Sequence, residues 1–131
     1  MVMCDGQTAR MNAHRKLVAW ERCRELVREV YGATAEFPAA ERFGLTSQLR
    51  RASVSAASNI AEGFARLGPR ETAHGLSLTL GSLAEIDTLL VVAQDLGYLS
   101  AATAAALQER RDMAAKVTFG LQRKMRARIP A

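Results

Sequence analysis

Residues 45–97, LTSQLRRASVSAASNIAEGFARLGPRETAHGLSLTLGSLAEIDTLLVVAQDLG, decide the fold. In their first half Leu45, Leu49, Ala52, Ala56 and Ile60 recur at steps of three and four, which places them on one face of an α-helix. Gly68-Pro69 breaks the pattern with a turn, and the helical spacing resumes beyond it until Gly97, a residue suited to ending a helix. The spacing predicts a helix from an N-cap at Thr46 to about Phe64 and another over residues 69–96. Two long helices joined by so short a link fold back on each other antiparallel.

The later helix carries leucines in nearly every direction. Leu76, Leu80, Leu83 and Leu90 share one face, while Leu78, Ile86, Leu89, Ala93 and Leu96 share another. A helix that packs on one bundle shows a single apolar stripe about 100° wide. The excess predicts neighbours on two sides, and therefore self-association.

Working outward, Leu17, Trp20, Cys23, Val27, Val30 and Tyr31 form the apolar face of a first helix that begins near Arg15 and stops at Phe37-Pro38. Ser100 is the expected cap of a last helix running to about Ile129, with Leu107, Ala114, Val117, Leu121 and Met125 facing inward. Residues 1–13 show no period and read as a flexible tail. Residues 14–129 read as one all-α domain, an antiparallel up-down-up-down four-helix bundle. The 131 residues suffice for one core, and the alanine- and leucine-rich composition, with 5% aromatics, suits helices.

Several classes of function find no support. Cys4 and Cys23 have no second pair and no histidine neighbours, so neither a disulfide framework nor a metal site is expected. His14 and His74 are each isolated. No glycine-rich phosphate loop occurs, and no serine has a histidine partner. The chain is expected to be no enzyme and to need no cofactor. The N-terminus lacks a continuous apolar stretch, and residues 76–99 carry Glu85, Asp87 and Asp95, so a cytoplasmic protein without a membrane span is expected.

Two polar features stand out. Gln48, Arg51, Ser55, Asn59, Glu62 and Arg66 follow helical spacing beside the core face of the second helix. About a turn at 67–68, Arg51 falls opposite Glu85 and Ser55 opposite Gly81-Ser82. This predicts a structural polar network of Arg51, Ser55, Asn59, Glu62, Ser82 and Glu85, with an Arg51–Glu85 hydrogen bond and close backbones at the small residues. Glu62 and Glu85 lie several turns apart, too far for a carboxylate pair that shares a substrate.

The second feature is the end of the last helix, where Lys116, Arg123, Lys124, Arg126 and Arg128 follow one another without an acid. Lys116, Phe119, Arg123 and Arg126 share an outer face, an aromatic among cations that suits a nucleic-acid backbone with a stacked base. A solvated face, or Phe119 buried against another subunit, fits the same spacing. The net charge of +5 makes an anionic partner, RNA or DNA, reasonable.

The run Leu45-Thr46-Ser47-Gln48-Leu49-Arg50-Arg51-Ala52, then Ser55, Ser58-Asn59-Ile60-Ala61-Glu62-Gly63, Gly81-Ser82-Leu83-Ala84-Glu85 and Leu96-Gly97-Tyr98-Leu99, resembles a known family. So do Leu17-Val18-Ala19-Trp20 and Tyr31 with Phe37-Pro38 upstream. It is the bacterial four-helix bundle family first noticed as reading frames within intervening sequences of 23S ribosomal RNA genes, and the resemblance spans about residues 15–126. Ala56 and Ala57 depart from its pattern, which usually has a larger aliphatic residue and proline there. This implies a straighter, more thinly packed middle of the second helix. The resemblance implies a homopentamer around a central channel and brings no catalytic residues. More distantly the chain is similar to the accessory variability proteins of diversity-generating retroelements, basic pentamers that bind nucleic acid and a reverse transcriptase.

Overall fold

The computed structural model describes residues 12–131. Four long helices follow a short 3-10 turn at Ala13–Lys16: α1 (Val18–Thr34), α2 (Leu45–Ala65), α3 (Pro69–Asp95) and α4 (Ala101–Ala127). Another 3-10 turn, Ala39–Glu41, sits in the α1–α2 link. The described residues contain no strand. The expected tail lies outside them, apart from residues 12 and 13.

Each helix touches its two neighbours around the bundle, α1 with α2, α2 with α3, α3 with α4, and α4 with α1. Ser55 meets Ser82 while Gly63 meets Gly75, so residue numbers rise on α2 as they fall on α3. Likewise Gln122 bonds to Ala73 and Arg111 to Leu83. Neighbours are therefore antiparallel, as the short links require.

Local chemistry explains the ends. Pro69 occupies the first turn of α3, where a missing N–H costs nothing, after Gly68 at φ 97°. At the other end Gly97 takes φ 80°, and two reversed bonds close the helix: Tyr98 N–H to the Ala93 carbonyl (2.9 Å) and Gly97 N–H to that of Gln94 (3.0 Å). The Ser100 hydroxyl accepts from Thr103 N–H at 3.1 Å, as the cap of α4. The start of α2 differs from expectation. Thr46 is buried inside the first turn, and the Glu41 carboxylate reaches forward to accept the Leu45 N–H at 2.9 Å.

The core is one cluster running from Ala19, Cys23, Leu26 and Val30 on α1 to Ala104, Leu107 and Ala114 on α4. Leu49, Ala56 and Ile60 of α2 meet Leu76, Leu83, Ile86 and Leu90 of α3 within it. Tyr31, expected inside, is 43% exposed, with the Arg50 guanidinium 4.6 Å from its ring centre. Leu26, on the next face, takes the core position instead. By length and composition α3 is apolar enough to cross a membrane, its four acids Glu71, Glu85, Asp87 and Asp95 notwithstanding. Leu76, Leu83, Ile86 and Leu90 spend much of that apolarity within the bundle, while Leu78, Val91, Val92 and Leu96 remain exposed.

Candidate nucleic-acid interface

α4 is held by its inward side. Buried Gln122 donates to the Ala73 carbonyl at 3.3 Å and to the Ser77 hydroxyl of α3. Arg111 donates to the Leu83 carbonyl at 3.4 Å and pairs with Asp112. Toward α1, Arg110 lies 3.8 Å from Glu29 and 3.9 Å from Glu25. Buried Thr118 lies beside Cys23, whose thiol burial pushes up to about 12 while the Thr118 hydroxyl lowers it slightly. That thiol is protonated at neutral pH and does no chemistry there.

These anchors fix what faces outward. Lys116, Arg123 and Arg126 are exposed, and Phe119 is 53% exposed. At about 100° per residue the four fall within a sector of roughly 80°, over about 15 Å of helix. Phe119 and Arg126 flank Gln122 on the side turned to α3, whereas Lys116 and Arg123 stand further out. None of the three cations is ion-paired among the described residues. Their charge is therefore open to an external anion, and the face is rigid because the opposite side of α4 is buried.

The polar stripe between α2 and α3 divides into parts. Ser55 accepts from Asn59 at 3.1 Å and from the Ser82 hydroxyl at 3.2 Å, and all three are half-buried. Arg51 and Glu85 line one open groove of about 300 Å³ with Gln48, Ala52 and Ser55, but no hydrogen bond or ion pair joins them. Both are exposed, so water solvates each charge more cheaply than a fixed pair would. Glu62 turns to Arg66 at 3.2 Å on the surface.

The close approach also lies elsewhere than expected. A Cβ on Gly81 would meet open space, whereas one on Gly63 would come within 2.8 Å of Gly75 Cα, and one on Gly75 within 2.6 Å of the Asn59 carbonyl. Beside that crossing Asn59, Glu62, Arg66, Glu71, His74 and Leu78 line a shallow cleft of about 360 Å³. No group of three possible metal ligands occurs among the described residues.

Sequence reasoning missed the buried polar pins. Thr79 donates to the Ala56 carbonyl across the α2–α3 seam at 2.8 Å, and Gln122 ties α4 to α3. Both sit at core positions of their helices, and a polar residue at such a position was the available signal.

Fold and surface together define a small all-α bundle with an exposed cationic, aromatic-bearing helix face. The chain belongs to the 23S rRNA-intervening sequence protein family, whose sequence pattern matches residues 15–120. No curated protein matches the chain.

Proposed function

We propose that the chain is a non-enzymatic, self-associating scaffold of the cytoplasm that holds nucleic acid on the outer face of α4. The observation that carries this reading is the exposure of Lys116, Arg123 and Arg126, without a carboxylate partner among the described residues, around half-exposed Phe119. Cations supply the salt-dependent affinity for phosphate and the ring a surface for a base. The basic balance of the chain supports an anionic partner, and the family's description, tied to ribosomal RNA, supports RNA before DNA. The resemblance to pentameric relatives supports five copies. One copy offers few phosphate contacts, and linked copies gain on the order of 10²–10⁴ in avidity.

The test is binding of a labelled single-stranded RNA by the native protein and by K116E/R123E/R126E. The variant is expected to lose binding while keeping its helicity and its assembly state. Equal binding by both at the same salt would place the interface elsewhere. A protein that binds no nucleic acid even at low salt would leave the second reading, an oligomer that serves protein contacts alone. The exposed apolar residues of α3 favour that reading.

A further inference from the structure

Charge is unevenly distributed along the axis of the bundle. Antiparallel packing brings the start of α1, the end of α2, the start of α3 and the end of α4 to one end. Each helix can be cut at its middle residue, Leu26, Ser55, Ser82 and Ala114 in turn. The half at that end, residues 12–25, 56–81 and 115–131, then holds eleven lysines and arginines against four acids. The other half, residues 26–55 and 82–114, holds six against eight. The positive excess of the protein is thus gathered at one end, where it draws anions.

A recess opens in that end. Phe64 of α2, Leu67 of the turn, Pro69 and Thr72 of α3, and Met125 and Arg128 of the last helix end surround about 240 Å³. The Thr72 hydroxyl is occupied, donating to the Gly68 carbonyl at 3.0 Å, so the wall is apolar up to Arg128. Arg70 and Arg126 each follow a lining residue in the chain. All three arginines are exposed, and none is ion-paired among the described residues.

Leu67 is the strained member of the wall. Its φ of 60° is the one positive value outside glycine among the described residues. There the Cβ crowds the following carbonyl oxygen, and glycine or asparagine ends a helix with less strain. Leucine instead sets a half-exposed apolar side chain at the mouth of the recess.

We infer that the recess takes one unstacked base of a single-stranded RNA, with Arg70, Arg126 and Arg128 on the neighbouring phosphates. The ligand class follows from an apolar hollow with cations on its rim, since a nucleotide joins a flat ring to an anion through one sugar. A lipid surface would favour apolar side chains that protrude together, whereas Phe64, Pro69 and Met125 are half-buried walls of a hollow. Arg126 belongs to the α4 face proposed above to hold RNA, and Arg128 follows it at the helix end. A strand lying along that face reaches the recess by bending over the end of α4.

The inference rests on the nucleic-acid reading, and removal of the bases separates the two. The probes are a short labelled oligouridylate and the same strand made abasic. Native protein should bind the intact strand on the order of tenfold more tightly. L67N relieves the positive φ, so it should keep or raise the thermal midpoint, yet lose most of that preference with the salt slope unchanged. R70A/R128A should keep the preference in part and shallow the slope of log K against log salt by about 0.7 for each phosphate released. A preference that survives L67N and disappears in F119A would overturn the base recess and leave RNA on the α4 face standing. An unchanged slope in R70A/R128A would do the same. A native protein that binds neither strand at low salt, whether or not it binds phosphatidylserine vesicles, would overturn both.

Discussion

Two glycines set how near α2 and α3 come. At Gly63 and Gly75 the backbones occupy the space a side chain would need, with contacts of 2.8 and 2.6 Å for the missing methyls. Gly63→Ala or Gly75→Ala should therefore cost about 1–3 kcal/mol by overpacking, read as a fall in the denaturant midpoint. Gly120→Ala, where a methyl meets nothing, should instead gain up to about 1 kcal/mol from helix propensity. Equal effects at the two kinds of position would refute the close approach. Cys23 gives a second test at this scale. Its folded thiol lies near 12, above the ordinary 9.0, because burial disfavours the thiolate. Between those values the unfolded chain has lost the proton and the folded chain keeps it, so this contribution to stability is full below pH 9 and declines as pH rises toward 12. Native protein at pH 8 should leave Cys23 unmodified by iodoacetamide, with rapid labelling in denaturant. Fast labelling under native conditions would show the thiol to be accessible.

At the scale of the element, α3 and α4 were legible because their ends carry local signals. Pro69, Gly97 and Ser100 act within a few residues of themselves, and the boundaries they imply are those observed within one or two positions. The start of α2 was less legible, because its cap is Glu41, a carboxylate that reaches forward from a 3-10 turn no periodicity reveals. The α2–α3 seam shows the same division. Ser55 and Ser82 could be paired from spacing about the turn, and they do bond. Arg51 and Glu85 could be set opposite each other just as well, yet exposure removes the reason to pair. Periodicity gives an angle around a helix; it does not say how deep a long side chain lies, nor how close two helices pass. The face of α4 is a gentler case. Lys116, Phe119, Arg123 and Arg126 share a sector by spacing alone, and Gln122, hidden in the sequence as an ordinary polar residue, ties the helix to α3 so that the sector faces out.

For the whole molecule, assembly and binding are proposed to use separate surfaces. In the proposed reading the apolar residues that α3 leaves exposed, Leu78, Val91, Val92 and Leu96, serve contact between copies, and the basic end of α4 serves the anion. The most direct measurement of the central claim is the salt dependence of single-stranded RNA binding, compared between the native protein and R123A. Each phosphate contact contributes about −0.7 to the slope of log K against log salt. The account predicts a steep native slope that shallows by about 0.7 for each engaged copy when Arg123 is removed. An identical slope for the two proteins would contradict it, because Arg123 would then touch no phosphate.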